Sequence, residues 1–358
     1  MKLIHTGDLH IGSAFKALPY DRAKLRAAEL VDGLRRLSSF AVKNGVFGVL
    51  IAGDLFDTNV VSGYVKREVL SVIASAPAVR FFYLRGNHDD KITFDEPLPD
   101  NLLLFSSTRG FFTYELPENI TVTGVDGGYL NLLDYDSLRL SPQAFNIVMM
   151  HGTLVPAGGR DPDPVYLSKL QNKNINYLAL GHIHNPPKAE RLDYRGKYRY
   201  AGCLEGRGFD ETGEKGFWLL EINGGSLTGE TFVPFAKRRM WEISVTPSGD
   251  YFSYETAILQ AVEKISENDM VKICLKGEKR RGQGCDHTHL TTLLNARFFF
   301  AKIEDETRFS STLSQEKDAL SLRGEFLRVL ASSALDDEIK CQAEELGLLA
   351  LGGEEIPL

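Results

Sequence analysis

Arg80-Phe-Phe-Tyr-Leu-Arg-Gly-Asn-His-Asp89 sets an apolar run against a glycine and then three polar side chains. The run reads as a buried strand that stops at Gly86 and exposes Asn87, His88 and Asp89. An α/β protein presents chemistry in this way at a strand's carboxyl end. In isolation, a loop with a capping Asn or Asp would read the same. The grammar recurs, however, in Thr6-Gly-Asp-Leu-His10, Ala52-Gly-Asp-Leu-Phe-Asp57, Met150-His-Gly152 and Leu180-Gly-His-Ile-His184. Repeated strand-end clusters of Asp, Asn and His point to one metal site assembled from many segments.

Around that stretch the chain alternates strand and helix. Leu3–Thr6 reads as a strand, and Asp21 as the cap of a helix running to about Asn44, with an apolar stripe through Leu25, Ala28, Leu30, Val31, Leu34, Leu37 and Ala41. Val46–Ala52 is nearly all apolar, as a strand covered on both faces should be. A helix over about 62–75 leads to the strand at 80–84, completing a repeated βαβ pattern. Short strands follow at 102–105, 111–116 and 120–125, then 145–150 and 176–180. The strands at 198–201, 216–222 and 228–233 read as antiparallel, with Gly224-Gly225 as a hairpin turn. The expected fold class is α/β, two sheets face to face flanked by helices in an α-β-β-α order, occupying residues 1–236. Residues 237–310 read as a small α/β capping domain, and 311–358 as a helical segment with an amphipathic helix at 317–333.

The 358 residues, 43% apolar and 25% charged, are ordinary for a globular protein with a large core and accessory units. The four cysteines form no Cys-x-x-Cys pair, which argues against a structural thiolate zinc site and fits a reducing compartment. Met1-Lys-Leu-Ile4 shows no apolar leader, and no stretch has the length to cross a bilayer, so a cytoplasmic protein is expected. A net charge of −7 weighs against bulk recruitment of nucleic acid, though not against a locally positive cleft. Two bound divalent ions would make such a cleft.

Asp8 and His10 stand two apart, so an extended backbone would put their side chains on one side; His182 and His184 repeat the spacing. Carboxylates with imidazoles and no thiolate suit Mn²⁺, Fe²⁺ or Zn²⁺. Asp54 is the simplest ligand to bridge two ions, and such a pair suits phosphoester hydrolysis by lowering the pKa of a bridging water and clamping phosphoryl oxygens. His5 reads equally as a hydrogen-bonded core histidine or as a support for a ligand. His287 and His289 have ligand spacing but read as the start of a helix.

Asp-x-His, Gly-Asp-x-x-Asp, Gly-Asn-His-Asp, His-Gly and Gly-His-x-His, in this order, resemble the calcineurin-like metallophosphoesterases. Within them, Thr6-Gly-Asp-Leu-His-Ile-Gly12 and Ile51-Ala-Gly-Asp-Leu-Phe-Asp-Thr58 resemble the SbcD/Mre11 group of DNA repair nucleases, over Met1 to about Phe235. Tyr200-Ala-Gly-Cys-Leu-Glu-Gly-Arg-Gly-Phe-Asp-Glu-Thr-Gly-Glu-Lys-Gly216 resembles the bacterial YhaO-type branch. The resemblance implies two divalent ions, Mn²⁺ first among Mn²⁺, Fe²⁺, Zn²⁺ and Mg²⁺. One would be held by Asp8, His10, Asp54 and His184, the other by Asp54, Asn87, His151 and His182. It also implies that His88 acts on the phosphate without ligating metal, held by Asp89. Asp57 stands where many relatives have histidine; an anionic side chain cannot donate to phosphate, so it reads as an acceptor supporting a ligand histidine or a metal-bound water.

The resemblance further implies DNA as substrate, cut by exonuclease or endonuclease action during repair. It implies a homodimer and a Rad50/SbcC-like or YhaN-like coiled-coil ATPase partner, for which the helix at 317–333 is a docking candidate. Lys237-Arg-Arg239 and the glycine-flanked Lys279, Arg280 and Arg281 are candidate contacts to backbone phosphates. Two other readings stay open: a phosphoesterase for a small molecule or phosphoprotein, and a DNA-end scaffold without catalysis.

Overall fold

A computed structural model of the chain describes all residues except 106–109, 127–129, 131, 157–158, 186–187, 247–250, 280–284, 310–319 and 353–358. The chain forms two compact units, Met1–Trp241 and Glu242–Leu358.

The first unit holds two six-stranded sheets. One is built from β1 (Lys2–Thr6), β2 (Gly48–Ala52), β3 (Arg80–Leu84), β4 (Leu102–Leu104), β13 (Gly216–Asn223) and β14 (Ser226–Pro234), in the order β14-β13-β1-β2-β3-β4. The other is built from β5 (Phe112–Leu116), β6 (Ile120–Gly124), β7 (Phe145–His151), β10 (Tyr177–Gly181), β11 (Glu190–Arg191) and β12 (Lys197–Tyr200), in the order β11-β12-β10-β7-β6-β5. The first four strands run parallel, as do β6, β7, β10 and β12, so their carboxyl ends gather along one edge of each sheet. Every strand-end cluster read from the sequence sits on one of these edges.

Alternation along β2 and β3 explains the two-sided burial. Val49, Ile51, Phe81 and Tyr83 pack with Leu30, Leu34, Leu37 and Ile73 from α1 (Tyr20–Lys43) and α2 (Gly63–Ala74). Leu50, Ala52, Phe82 and Leu84 point the other way and meet Val122, Ile147, Met149 and Ala179 of the second sheet. Each large apolar side chain among them contributes roughly 1.5–3 kcal/mol through burial. The outer face of the second sheet is covered by Leu130, Tyr135, Leu138 and Leu170, the last on the single-turn α3 (Leu167–Leu170). The layering is therefore helix, sheet, sheet and a thinner outer layer of helical turns.

Gly224 and Gly225, both at positive φ, make the tight turn between β13 and β14, where Asn223 pairs Ser226. α1 starts at Tyr20 behind Pro19, leaving Asp21 in the first turn rather than at the cap. Arg26 and Arg36 read as helix-surface charges in the sequence, yet Arg26 is fully buried. Its guanidinium meets Glu29, the Gly206 carbonyl at 2.7 Å and Glu205 at 3.5 Å, while Arg36 reaches Glu205 at 2.6 Å. Helix α1 thus grips the segment after β12 through ion pairs. Two short strands too small to read from sequence, β8 (Thr153–Val155) and β9 (Pro164–Tyr166), pair in parallel after β7.

In the second unit, β15 (Met240–Val245), β16 (Met270–Leu275) and β18 (Phe300–Asp305) form a three-stranded sheet, β16 and β18 parallel. It is accompanied by α4 (Tyr251–Ala261), α5 (His287–Arg297) and the two-residue strands β17 (Glu278–Lys279) and β19 (Arg308–Phe309). Asp286 caps α5 by accepting from the His289 N–H, so the His287/His289 pair does begin a helix. Helices α6 (Leu322–Ser332) and α7 (Asp337–Gly352) pack on each other, burying Leu327 and Leu330. No helix among the described residues is long and apolar enough to cross a membrane.

Candidate metal centre

The seven expected ligands converge where the parallel strands end. Asp8 and His10 follow β1, Asp54 follows β2, Asn87 follows β3, His151 ends β7, and His182 and His184 follow β10. The backbone is bent hard to bring them in. Asp8, His10, Asp54 and His182 all take positive φ, at 51°, 46°, 48° and 102°. For side chains other than glycine this is a costly conformation that packing must enforce. The preceding glycines give room. A Cβ at Gly53 would run into the His151 ring, and one at Gly86 would run into Asp54.

Two inner clusters of donor atoms result, Asp8/His10/His184 and Asp8/Asp54/His151, with atoms in each within 4.8 Å of one another. A third group, His10/Asp57/His88, meets the same limit and runs from the first cluster to the rim. The tautomers follow from the outer contacts. His184 donates from Nδ1 to Glu211 Oε1 at 2.7 Å, and the His10 Nδ1 stands 3.2 Å from Asp57 Oδ1. Both Nε2 atoms are thereby left as lone-pair donors, and they face each other at 3.0 Å. His151 donates from Nδ1 to the Ala52 carbonyl at 2.8 Å, which turns its Nε2 towards Asn87 Oδ1 at 3.0 Å and Asp54 Oδ2 at 3.3 Å. His182 Nδ1 lies 3.1 Å from the same Asn87 oxygen. The His10 and His184 lone pairs aimed at one another are repulsive unless a cation sits between them, and the Asp8 and Asp54 carboxylates call for positive charge beside His151. The donor set therefore fits two divalent ions.

Electrostatics agrees. Burial pushes the Asp8 carboxyl up to about 6 and the His10 imidazole down to about 4, so His10 is neutral and able to ligate. Burial also disfavours a charged His151, yet Asp54 and Asp8 reverse this and hold it at about 9. Two buried carboxylates draw positive charge into the site.

His88 stands at the exposed rim, its ring centroid 4.8 Å from that of His10. It donates from Nδ1 to the Asp57 carbonyl at 2.8 Å. The sequence reading gives Asp89 the task of holding His88, but the carboxylate of Asp89 is turned inward and occupied. Its Oδ2 accepts from Phe56 N at 3.0 Å and the Tyr83 hydroxyl at 2.5 Å, and its Oδ1 from Gly86 N at 2.7 Å. Asp89 braces the loop, and the orienter of His88 is the main chain of Asp57. The Asp57 side chain lies behind His10 and also accepts from Arg207 Nη1 at 2.7 Å. His5 is a core histidine, fully buried with its Nδ1 2.9 Å from the Tyr177 hydroxyl.

Among the described residues, the basic run Lys237–Arg239 is engaged with acidic side chains. Arg238 is bound to Glu29 at 2.7 Å, Lys237 lies 3.4 Å from the same carboxylate, and Arg239 lies 3.8 Å from Glu214 and stacks over Trp241. Arg280 and Arg281 lie outside the described residues, as does the Lys279 side chain.

Sequence reading missed Arg207 and Glu211. Both lie in the segment Tyr200–Gly216, but no spacing rule connects that segment to His184, and only the folded contact reveals the link.

Residues 1–186 match the family model described as calcineurin-like phosphoesterase. The chain is 28% identical over 285 residues to the uncharacterized metallophosphoesterase YhaO of Bacillus subtilis (strain 168), across 74% of this chain and 67% of that protein. Among solved structures, a dimetal phosphatase from Danio rerio aligns at 12% identity over 62% of this chain and 92% of that one, with a TM-score of 0.43. A Thermus thermophilus protein aligns at 12% identity over 64% of this chain and 98% of that one, with a TM-score of 0.41.

Proposed function

Since the chain belongs to the calcineurin-like phosphoesterase family, we propose that it is a two-metal phosphodiesterase that hydrolyses DNA at ends during repair, in the manner of the SbcD/Mre11 group. The observation that carries the phosphoesterase part is the pair of inner donor clusters beneath a rim histidine held by a main-chain carbonyl. The DNA part rests on the resemblance of Thr6–Gly12 and Ile51–Thr58 to that group's motifs.

Asp8, His10, Asp54 and His184 would hold one divalent ion, and Asp54, Asn87, His151 and His182 the other, Mn²⁺ in this reading. When bound, the ions supply Lewis acidity that offsets charge on the phosphoryl oxygens and makes water a better nucleophile. The protein does the rest by placement. Asp57's carbonyl fixes the His88 ring through Nδ1 and leaves Nε2 for the substrate. With both ring nitrogens protonated, Nε2–H hydrogen-bonds a phosphoryl oxygen and passes its proton to the leaving 3′ oxygen, which leaves the ring neutral. We further propose a cytoplasmic homodimer working with a coiled-coil ATPase; Leu322 and Val329, exposed on α6, offer it an apolar docking face.

The test is Mn²⁺-dependent digestion of end-labelled duplex and single-stranded DNA, beside phosphate release from nucleotides and phosphopeptides. The wild type is expected to shorten labelled DNA. The His88→Ala variant is expected to keep two ions and lose about 100-fold or more in rate. Release of phosphate with DNA left intact would transfer the activity to a small-molecule or phosphoprotein substrate. Full activity of the variant would reject the role of His88.

A further inference from the structure

We infer that Arg207 and Glu211 are positioning residues that set the affinity of one half of the metal centre, the half built on His10 and His184. The inference rests on the two-ion reading above.

The two halves are supported differently. His151 leans on a main-chain carbonyl, and His182 meets Asn87. His10 and His184 instead each have a carboxylate behind them, Asp57 and Glu211. One guanidinium clips those carboxylates together. Arg207 reaches Asp57 Oδ1 from Nη1 at 2.7 Å and Glu211 Oε1 from Nη2 at 3.2 Å. Its own main-chain N–H donates to Glu211 Oε2 at 2.7 Å. Glu211 is 4% exposed, so its charge is screened mainly by these partners.

The physical consequence is specific. A carboxylate accepting from Nδ1–H pins the imidazole's plane and raises the electron-donating power of Nε2. Arg207 holds both carboxylates at a fixed separation, which fixes the 3.0 Å approach of the two Nε2 atoms. The segment bearing Arg207 and Glu211 is in turn anchored to α1 through Arg26, Arg36 and Glu205. Glu211 and Arg207 touch neither Asn87, His151 nor His182 through any described hydrogen bond. Their removal should therefore weaken one ion and spare the other.

The experiment is Mn²⁺ titration by calorimetry of the full chain, with metal content after dialysis, for wild type, Glu211→Ala, Glu211→Gln and Arg207→Ala. His182→Ala serves as the control for the other half. The wild type is expected to hold two ions. Glu211→Ala and Arg207→Ala should keep one at wild-type affinity and bind the second about 10- to 100-fold more weakly. Glu211→Gln, which keeps an acceptor oxygen and nearly the same shape, should fall between. Two ions at wild-type affinity in Glu211→Ala would overturn the inference, as would equal loss of both ions in the folded Glu211→Gln protein. A wild type that binds no ion stoichiometrically would fail the two-ion reading itself, a different result.

Discussion

Asp89 offers the sharpest test of how the rim loop is held. Replacing it with alanine removes the acceptor for three donors at once, the N–H groups of Phe56 and Gly86 and the hydroxyl of Tyr83. Phe56 and Tyr83 are fully buried, and Asp89 itself has no exposed surface. A buried donor left without a partner costs about 1–3 kcal/mol. Three of them, partly relieved by relaxation, give an expected destabilisation of about 3–6 kcal/mol. For a unit of this size that is a fall in Tm of roughly 10–20 °C. Tyr83→Phe removes one donor and leaves Asp89 with two, so it should cost only about 1 kcal/mol. In the double variant the Tyr83 change should cost less than it does alone, because its partner has gone. The assay is thermal unfolding followed by circular dichroism, alongside hydrolysis of bis(p-nitrophenyl) phosphate. If Asp89→Ala melts within about 2 °C of wild type while activity falls as in His88→Ala, the bracing account is refuted. Asp89 would then act through His88 after all.

Two further outcomes follow from contacts elsewhere. Gly86→Ala places a Cβ 2.8 Å from Asp54 N and closer still to its carboxylate, so Asp54 must move. A displacement near 1 Å at a reacting site costs about 100-fold, and kcat/KM should fall by that order, whereas Gly110→Ala, with nothing within 4 Å, should be silent. Glu230 on the edge strand β14 pairs with Lys197 and Arg199 on β12, joining the two sheets. Burial pushes its carboxyl up, but Arg199 and Lys197 outweigh this and hold it below the usual range. A carboxyl lowered on folding contributes stability above its unfolded pKa and loses it as pH falls through the folded value. Glu230→Gln should thus cost about 1–2 kcal/mol at pH 7 after solvent screening. That difference should shrink in melts taken below about pH 4.5; a constant gap down to about pH 3 would contradict the pairing.

How far the sequence reveals these contacts depends on their range. The strands were legible because β2 and β3 are apolar at every position but their ends, the mark of a two-faced core. The candidate ligands stand out in the sequence because they cluster beside glycines at strand ends, and the structure supplies the reason for the glycines. Gly53 and Gly86 leave the space that His151 and Asp54 occupy. What failed was inference from adjacency. Asp89 follows His88 directly, yet the chain turns between them and sends one side chain to the rim and the other into the core. Arg26 falls among helix charges and is buried because Glu205 and the Gly206 carbonyl come to it from far along the chain. Arg238 sits in a basic run that reads as a phosphate contact, but Glu29 occupies it.

The same contacts tie the fold to the chemistry. Glu29 ties α1 to Arg238 beyond β14, and Glu205 ties Arg26 and Arg36 of α1 to the segment after β12. That segment carries Arg207 and Glu211, which stand behind His10 and His184. The buried ions of α1 are costly to desolvate, and apolar packing would often serve stability as well. The pairs match particular residues across the two elements and so favour one register of the loop against the helix. A centre that needs two Nε2 atoms 3.0 Å apart depends on that register. The ion pairs at the base of this segment and the Arg207 and Glu211 contacts farther along it, Arg207 reaching Asp57 behind His10 and Glu211 reaching His184, therefore form one connected support.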